Sequence, residues 1–198
     1  MILTCKAKPK LMIGGFSGFT EKHWKPHGIN KALRLCMRDI DDDVATFNAI
    51  ETDDPWDVAQ QINWWYEFFG GFDLYFLMHS WGCICGNDTA DYLGHFGIPV
   101  NCGFFADPVS KDVPWYLRSL WGRGKFIMSS NFKRAIVWRS QSGTIRGCKN
   151  LTLEDPNETE WIANDPYFDR PVSVPHREVD ELDDFYTTIL KEVKNEAA

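Results

Sequence analysis

The sequence of 198 residues predicts an α/β protein in three layers, with helices on both faces of a mostly parallel central sheet. Two observations lead to this class. Short apolar strands alternate with helical segments from residue 10 to about residue 105. Chemically useful side chains, moreover, follow the ends of several of these strands. Since parallel strands bring their carboxyl ends to one edge of the sheet, these side chains are expected to meet there.

Apolar runs and helical periodicity define the expected elements in chain order. The expected strands span 10–14, 44–47, 73–78, 98–105 and 135–138, and the expected helices begin near residues 30, 55, 81 and 180. The second helix has the clearest start, because Asp54 can cap its first turn and Pro55 fits the first helical position. The first strand runs into a glycine-rich stretch at 14–18. We interpret this stretch as a loop, because glycine permits unusual backbone angles.

Length and composition predict a single domain spanning 1–198, in which 111–133 is the segment suited to form a small cap. The formal net charge of −7, without a concentrated Lys/Arg patch, argues against a nucleic-acid partner. No stretch reaches the roughly 18 apolar residues that a membrane span requires, and no secretion signal opens the chain. We therefore expect a cytoplasmic protein.

The six cysteines are scattered along the chain and lack the spacing of a zinc site. Cys83 and Cys85 are separated by one residue, which is one fewer than in the usual redox or zinc pair. We expect reduced, buried thiols, with no metal and no cofactor.

The segment from Met78 to Gly82, with the sequence Met-His-Ser-Trp-Gly, follows a predicted strand and precedes a predicted helix. A serine on such a sharp turn stands clear of its neighbours. It can then reach a base and backbone N–H donors, as a nucleophile must. Ser80 is thus the candidate nucleophile. The alternative is that Ser80 only caps the helix that starts at Trp81.

Two residues further along the chain are candidates for the other catalytic groups. Asp107 follows a predicted strand and precedes a proline, and His176 is the one histidine after Asp107. Asp107 would otherwise be an ordinary turn residue that binds nearby backbone N–H groups. The substitute acids are Asp112, Asp165 and Asp169.

The turn around Ser80 resembles the nucleophile elbow of the α/β-hydrolase family, whose pattern is G-x-S-x-G. The resemblance covers about residues 10–107, and the chain order of Ser80, Asp107 and His176 matches the order of that family's triad. The sequence departs from the pattern at Met78, where the family has glycine. A flexible methionine can turn into the space left by small residues of the following helix.

The resemblance also implies an oxyanion hole, built from the backbone N–H of Trp81 and a second N–H from Phe16 or Ser17. The implied activity is cleavage of a carboxylic ester through an acyl-enzyme. The alternatives are a peptidase or thioesterase with the same triad, and a hydrolase-like module that binds without catalysis. The expected partner is a small ester or acyl compound of apolar or aromatic character. Within the cap segment, the candidate pocket residues are Trp115, Tyr116 and Trp121.

Overall fold

The computed structural model describes residues 2–5, 8–18, 27–40, 43–110, 124–142, 147–148, 150–154 and 167–196. Within these ranges the strands are β1 (Ile2–Cys5), β2 (Leu11–Ser17), β3 (Val44–Ile50), β4 (Asp73–His79), β5 (Cys102–Ala106), β6 (Lys125–Met128), β7 (Ala135–Ser142), β8 (Asn150–Leu153) and β9 (Tyr167–Pro175). The α-helices are α1 (Gly28–Asp39), α2 (Pro55–Phe69), α3 (Gly82–His95) and α4 (Asp183–Glu196), and a 3-10 helix spans His176–Glu181.

Seven strands form the central sheet in the order β1-β3-β2-β4-β5-β7-β9. β1 pairs antiparallel with β3 at one edge, whereas the other neighbouring strands of this sheet run parallel. β6 and β8 form a separate parallel pair. This architecture confirms the predicted three-layer α/β class. A crossover in the strand order brings β2, β4 and β5 side by side in the middle of the sheet.

The two faces of the sheet carry separate apolar clusters, because successive strand residues point to opposite faces. In β4, Phe76 and Met78 join the cluster that also contains apolar residues of α2 and α3. Tyr75 and Leu77 join the cluster beneath α1 and α4. The next residue on that second face is His79, which continues the alternation at the carboxyl end of the strand.

The glycine-rich stretch was wrongly interpreted as a loop, because 14–17 belongs to β2. A Cβ on Gly14 would lie 2.3 Å from the Phe47 ring, and one on Gly15 would lie 2.6 Å from Leu33 Cδ1. These glycines therefore let a ring of β3 and a side chain of α1 pack onto the strand. They serve close packing rather than a bend.

The proposed cap lies mostly outside the described residues, and so do the candidate pocket residues Trp115, Tyr116 and Trp121. In the described part of the segment, Phe126 of β6 is buried in the core with its ring 5.7 Å from that of Phe105. Among the helices described, none has the length and apolar character needed to cross a membrane.

Candidate active site

Ser80 lies on a sharp turn between β4 and α3 with a φ of 54°. Helix α3 begins at Gly82, its N-cap residue is Trp81, and no side chain caps it. The capping interpretation of Ser80 is therefore wrong. Ser80 Oγ instead lies 2.7 Å from Nε2 of His176, so the turn directs the hydroxyl at an imidazole nitrogen.

Asp107 directly follows β5 and is fully buried. Its Oδ2 lies 2.5 Å from His176 Nδ1 and also accepts a hydrogen bond of 2.8 Å from the Gly147 N–H. Its Oδ1 accepts a hydrogen bond of 2.8 Å from the Ser140 N–H. A buried carboxylate without partners would be costly, and these donors compensate for the loss of water. They also fix the carboxylate against the imidazole.

His176 begins the 3-10 helix that follows β9, and 13% of its side chain is exposed. The ring is therefore more exposed than the two side chains it joins, since Asp107 is fully buried and Ser80 is 7% exposed. The structure brings together the three residues that the sequence singled out, in the hydrogen-bonded order Ser80, His176, Asp107. Of the substitute acids, Asp112 and Asp165 lie outside the described residues, and only the backbone of Asp169 is described.

The backbone from Phe16 to Gly18 passes beside the turn. A Cβ on Gly82 would lie 2.1 Å from the carbonyl oxygen of Phe16, and one on Gly18 would lie 3.0 Å from Ser80 Cβ. Phe16 and Ser17 are members of β2, and the Ser17 carbonyl accepts a hydrogen bond from the Glu51 N–H. Gly18, which sequence reasoning did not single out, is thus in close contact with Ser80. Gly18 is the last glycine of the glycine-rich stretch at 14–18, and that position was the signal in the sequence that could have identified it.

Met78 occupies the position where the family pattern has glycine. Its Sδ lies 2.6 Å from where a Cβ on Gly86 would be. Met78 is fully buried. The bulky side chain is therefore accommodated because α3 has glycine at the facing position, as the sequence suggested for this flexible residue.

Cys83 lies in the first turn of α3, close to the candidate site. Its burial raises the pKa of the thiol well above the usual value, and the negative charge of Asp107 raises it further. Because a thiol is nucleophilic only as the thiolate, Cys83 is a poor nucleophile at neutral pH. In the part of the chain that the structure describes, no cluster of three or more His, Cys, Asp or Glu could hold a metal ion.

Eleven chains of solved structures match this fold. One is the crystal structure of a protein from Agrobacterium vitis S4 named "Putative hydrolase", with a TM-score of 0.58 and 9% sequence identity. The match covers 96% of this chain and 91% of that chain. No protein-family model matches the sequence, and no curated protein matches it. At this identity the likeness shows the fold alone, which is the three-layer α/β architecture described above.

Proposed function

We propose that this protein is a serine hydrolase that cleaves a carboxylic ester through an acyl-enzyme. The observation that supports this most directly is the line of two hydrogen bonds from Ser80 Oγ through the His176 ring to Asp107. The likeness in fold to a protein named as a hydrolase agrees with the proposal.

In the proposed reaction, Ser80 Oγ attacks the ester carbonyl carbon while its proton passes to Nε2 of His176. Asp107 accepts the hydrogen bond from Nδ1–H, which holds the ring in the correct tautomer and stabilises the imidazolium. His176 then gives the proton to the leaving oxygen, and an alcohol departs. Water attacks the acyl-enzyme by the same route, which releases the acid and restores Ser80.

The negative oxygen of the tetrahedral intermediate requires N–H donors. The proposed donors are the backbone N–H of Trp81 and a second N–H from Phe16 or Ser17. Support for Trp81 comes from its place at the start of α3, because a helix N-terminus favours negative charge. Support for the second donor comes from the place of this backbone beside the nucleophile, because a Cβ on Gly18, the residue after Ser17, would lie 3.0 Å from Ser80 Cβ. Losing one such donor typically costs about 3 kcal/mol in the barrier.

The proposed substrate is a small ester of apolar or aromatic character, not a nucleic acid or another strongly anionic compound. The net charge of −7 disfavours anionic partners. The six cysteines are thiols, five of them buried, which suits the proposed cytoplasmic setting.

The direct test is labelling with a fluorophosphonate probe, which reacts with activated serines. We expect one label per chain in the wild type and none in Ser80→Ala. Folded wild-type protein that takes up no label would favour a binding module without catalysis. A panel of nitrophenyl esters, thioesters and peptide anilides then ranks esterase, thioesterase and peptidase activity. The highest kcat/KM is expected for the esters.

A further inference from the structure

A second histidine and aspartate, His79 and Asp180, form a buried pair next to the candidate triad. The side chains of His79 and Asp180 are 2% and 1% exposed, and His79 Nδ1 lies 3.3 Å from Asp180 Oδ2. The other ring nitrogen, Nε2, lies 3.0 Å from the backbone carbonyl oxygen of His176. His79 is also the residue before Ser80, so one side chain connects the turn of the proposed nucleophile to the backbone of the proposed base.

Strand alternation explains how His79 reaches this position. Met78 points toward α2 and α3, so His79 points to the opposite face, where α1 and the 3-10 helix lie. Asp180 sits near the end of that 3-10 helix, and its Oδ2 accepts a hydrogen bond of 3.1 Å from the Ile29 N–H in the first turn of α1. A helix N-terminus stabilises a negative carboxylate. Three elements thus meet at this pair.

The hydrogen-bond partners fix where the protons lie. A carbonyl oxygen only accepts, so His79 Nε2 must carry a proton and donate it to His176. A second proton must then lie between Nδ1 and Asp180, because a bare nitrogen facing a bare carboxylate would repel it. The Ile29 N–H favours the ionised carboxylate, and an ionised Asp180 at 3.3 Å from Nδ1 favours a proton on that nitrogen as well.

We propose that His79 is a positioning residue for the hydrolytic reaction, and that Asp180 holds it in the protonated form that binds the His176 backbone. This inference rests on the proposed function. His79 acts through His176, whose Nε2 lies 2.7 Å from Ser80 Oγ. Displacement of a catalytic group by about 1 Å can cost about a hundredfold in rate. Losing the His79 donor should therefore lower kcat and leave KM nearly unchanged.

The sharpest test compares two double variants that contain no buried lone charge. His79→Gln with Asp180→Asn keeps an amide N–H where Nε2 stood, whereas His79→Phe with Asp180→Asn has no donor there. We expect the glutamine variant to keep kcat within about tenfold of the wild type. We expect the phenylalanine variant to lose about a hundredfold in kcat, with KM within about threefold. His95→Phe, at an exposed position, is the matched control and should leave kcat unchanged.

Equal kcat values in the two folded double variants, or a change confined to KM, would overturn the positioning role. If the phenylalanine variant does not fold, His79→Asn with Asp180→Asn replaces it, since that amide is one methylene shorter and does not reach the carbonyl. Circular dichroism establishes folding in each case. These assays follow the labelling of wild-type Ser80, so failure of the proposed function is detected separately.

A second readout does not depend on turnover. Nitrogen NMR of 15N-histidine-labelled wild type at neutral pH should show Nε2 of His79 protonated, and the signal should be assigned by its loss in the double variant His79→Gln with Asp180→Asn. An unprotonated Nε2 would contradict the inference whether or not the protein hydrolyses esters.

Discussion

Ser80 and Asp107 share a backbone conformation that L-residues rarely adopt, with φ angles of 54° and 50°. In the described part of the chain, they are the two residues other than glycine with a positive φ. They follow the adjacent strands β4 and β5, where the Ser80 N–H donates to the Ala106 carbonyl at 3.0 Å. Such a conformation costs on the order of 1–3 kcal/mol and persists only where surrounding contacts enforce it. Backbone strain is therefore concentrated at the two residues that flank the His176 ring.

This strain predicts an unusual order of stability at position 80. The free energy of unfolding of Ser80→Gly should exceed that of Ser80→Ala by about 1 kcal/mol, because glycine adopts a positive φ without steric cost. At Thr46, inside β3, the order should be reversed, since glycine is unfavourable in a regular strand. Urea unfolding of the four variants measures both differences. If Ser80→Ala is more stable than Ser80→Gly, the turn at position 80 is not strained.

The Asp107 carboxylate predicts a large catalytic effect with a small structural one. Asp107→Asn presents an NH2 group that must face either a backbone N–H or the His176 ring, so the hydrogen-bond pattern of the imidazole is lost. We expect kcat on a nitrophenyl ester to fall by about four orders of magnitude, as in serine enzymes with a comparable triad. The far-ultraviolet circular dichroism should be retained. A kcat within tenfold of the wild type would exclude Asp107 as the acid.

Close packing at the start of α3 predicts that Gly82 tolerates no side chain. A Cβ there would lie 2.1 Å from the Phe16 carbonyl oxygen, a backbone atom that cannot swing aside. Gly82→Ala should therefore lower the free energy of unfolding by about 2–3 kcal/mol. Gly94→Ala, in the same helix, meets its nearest atom at 3.5 Å and should be neutral or stabilising by up to about 1 kcal/mol. Equal effects at the two positions in urea unfolding would contradict this packing.

The lowered pKa of the Asp184 carboxyl predicts that the stability of the protein depends on pH in the acid range. Burial alone would raise the pKa of its carboxyl, but hydrogen bonds from Trp138 and Arg170 lower it below the usual range. A depressed pKa means that this stabilisation is present above the unfolded value of about 4 and is lost as pH falls through the folded value.

The corresponding experiment compares urea midpoints of wild type and Asp184→Asn at pH 7 and at pH 3. At pH 7 the wild type should be more stable than Asp184→Asn, and this difference in stability should shrink toward pH 3. Asp183→Asn is the matched control, because Asp183 also lies in the first turn of α4 and shares its helix dipole. A gap that is equally large at both pH values would rule out the Asp184 carboxylate as its source.

The sequence was most informative where function and local geometry coincide. Ser80 and Asp107 each follow an apolar strand, and parallel strands bring such residues to one edge, so their meeting could be expected. Gly14 and Gly15 were misinterpreted because a glycine run also occurs in loops, and only the approach of Phe47 and Leu33 explains it as a strand. That approach depends on tertiary contacts that the local sequence does not show.

The strand β9 and the pair of His79 with Asp180 were missed for different reasons. β9 contains Pro171 and Pro175, which normally argue against a strand, but it lies at the edge of the sheet, where a missing N–H is tolerated. His79 and Asp180 are far apart in the chain. The face to which His79 points could have been derived from strand alternation, but the approach of Asp180 to that face could not.

The proposed function requires that His176 activates Ser80 and that Ser80 carries the acyl group during turnover. The most direct measurement is mass spectrometry of protein quenched during hydrolysis of a nitrophenyl ester, followed by peptide mapping. We expect one acyl adduct in the wild type, located on Ser80, and none in any peptide of His176→Ala. An adduct on another residue, or an equal amount on Ser80 without the histidine, would contradict the proposed function.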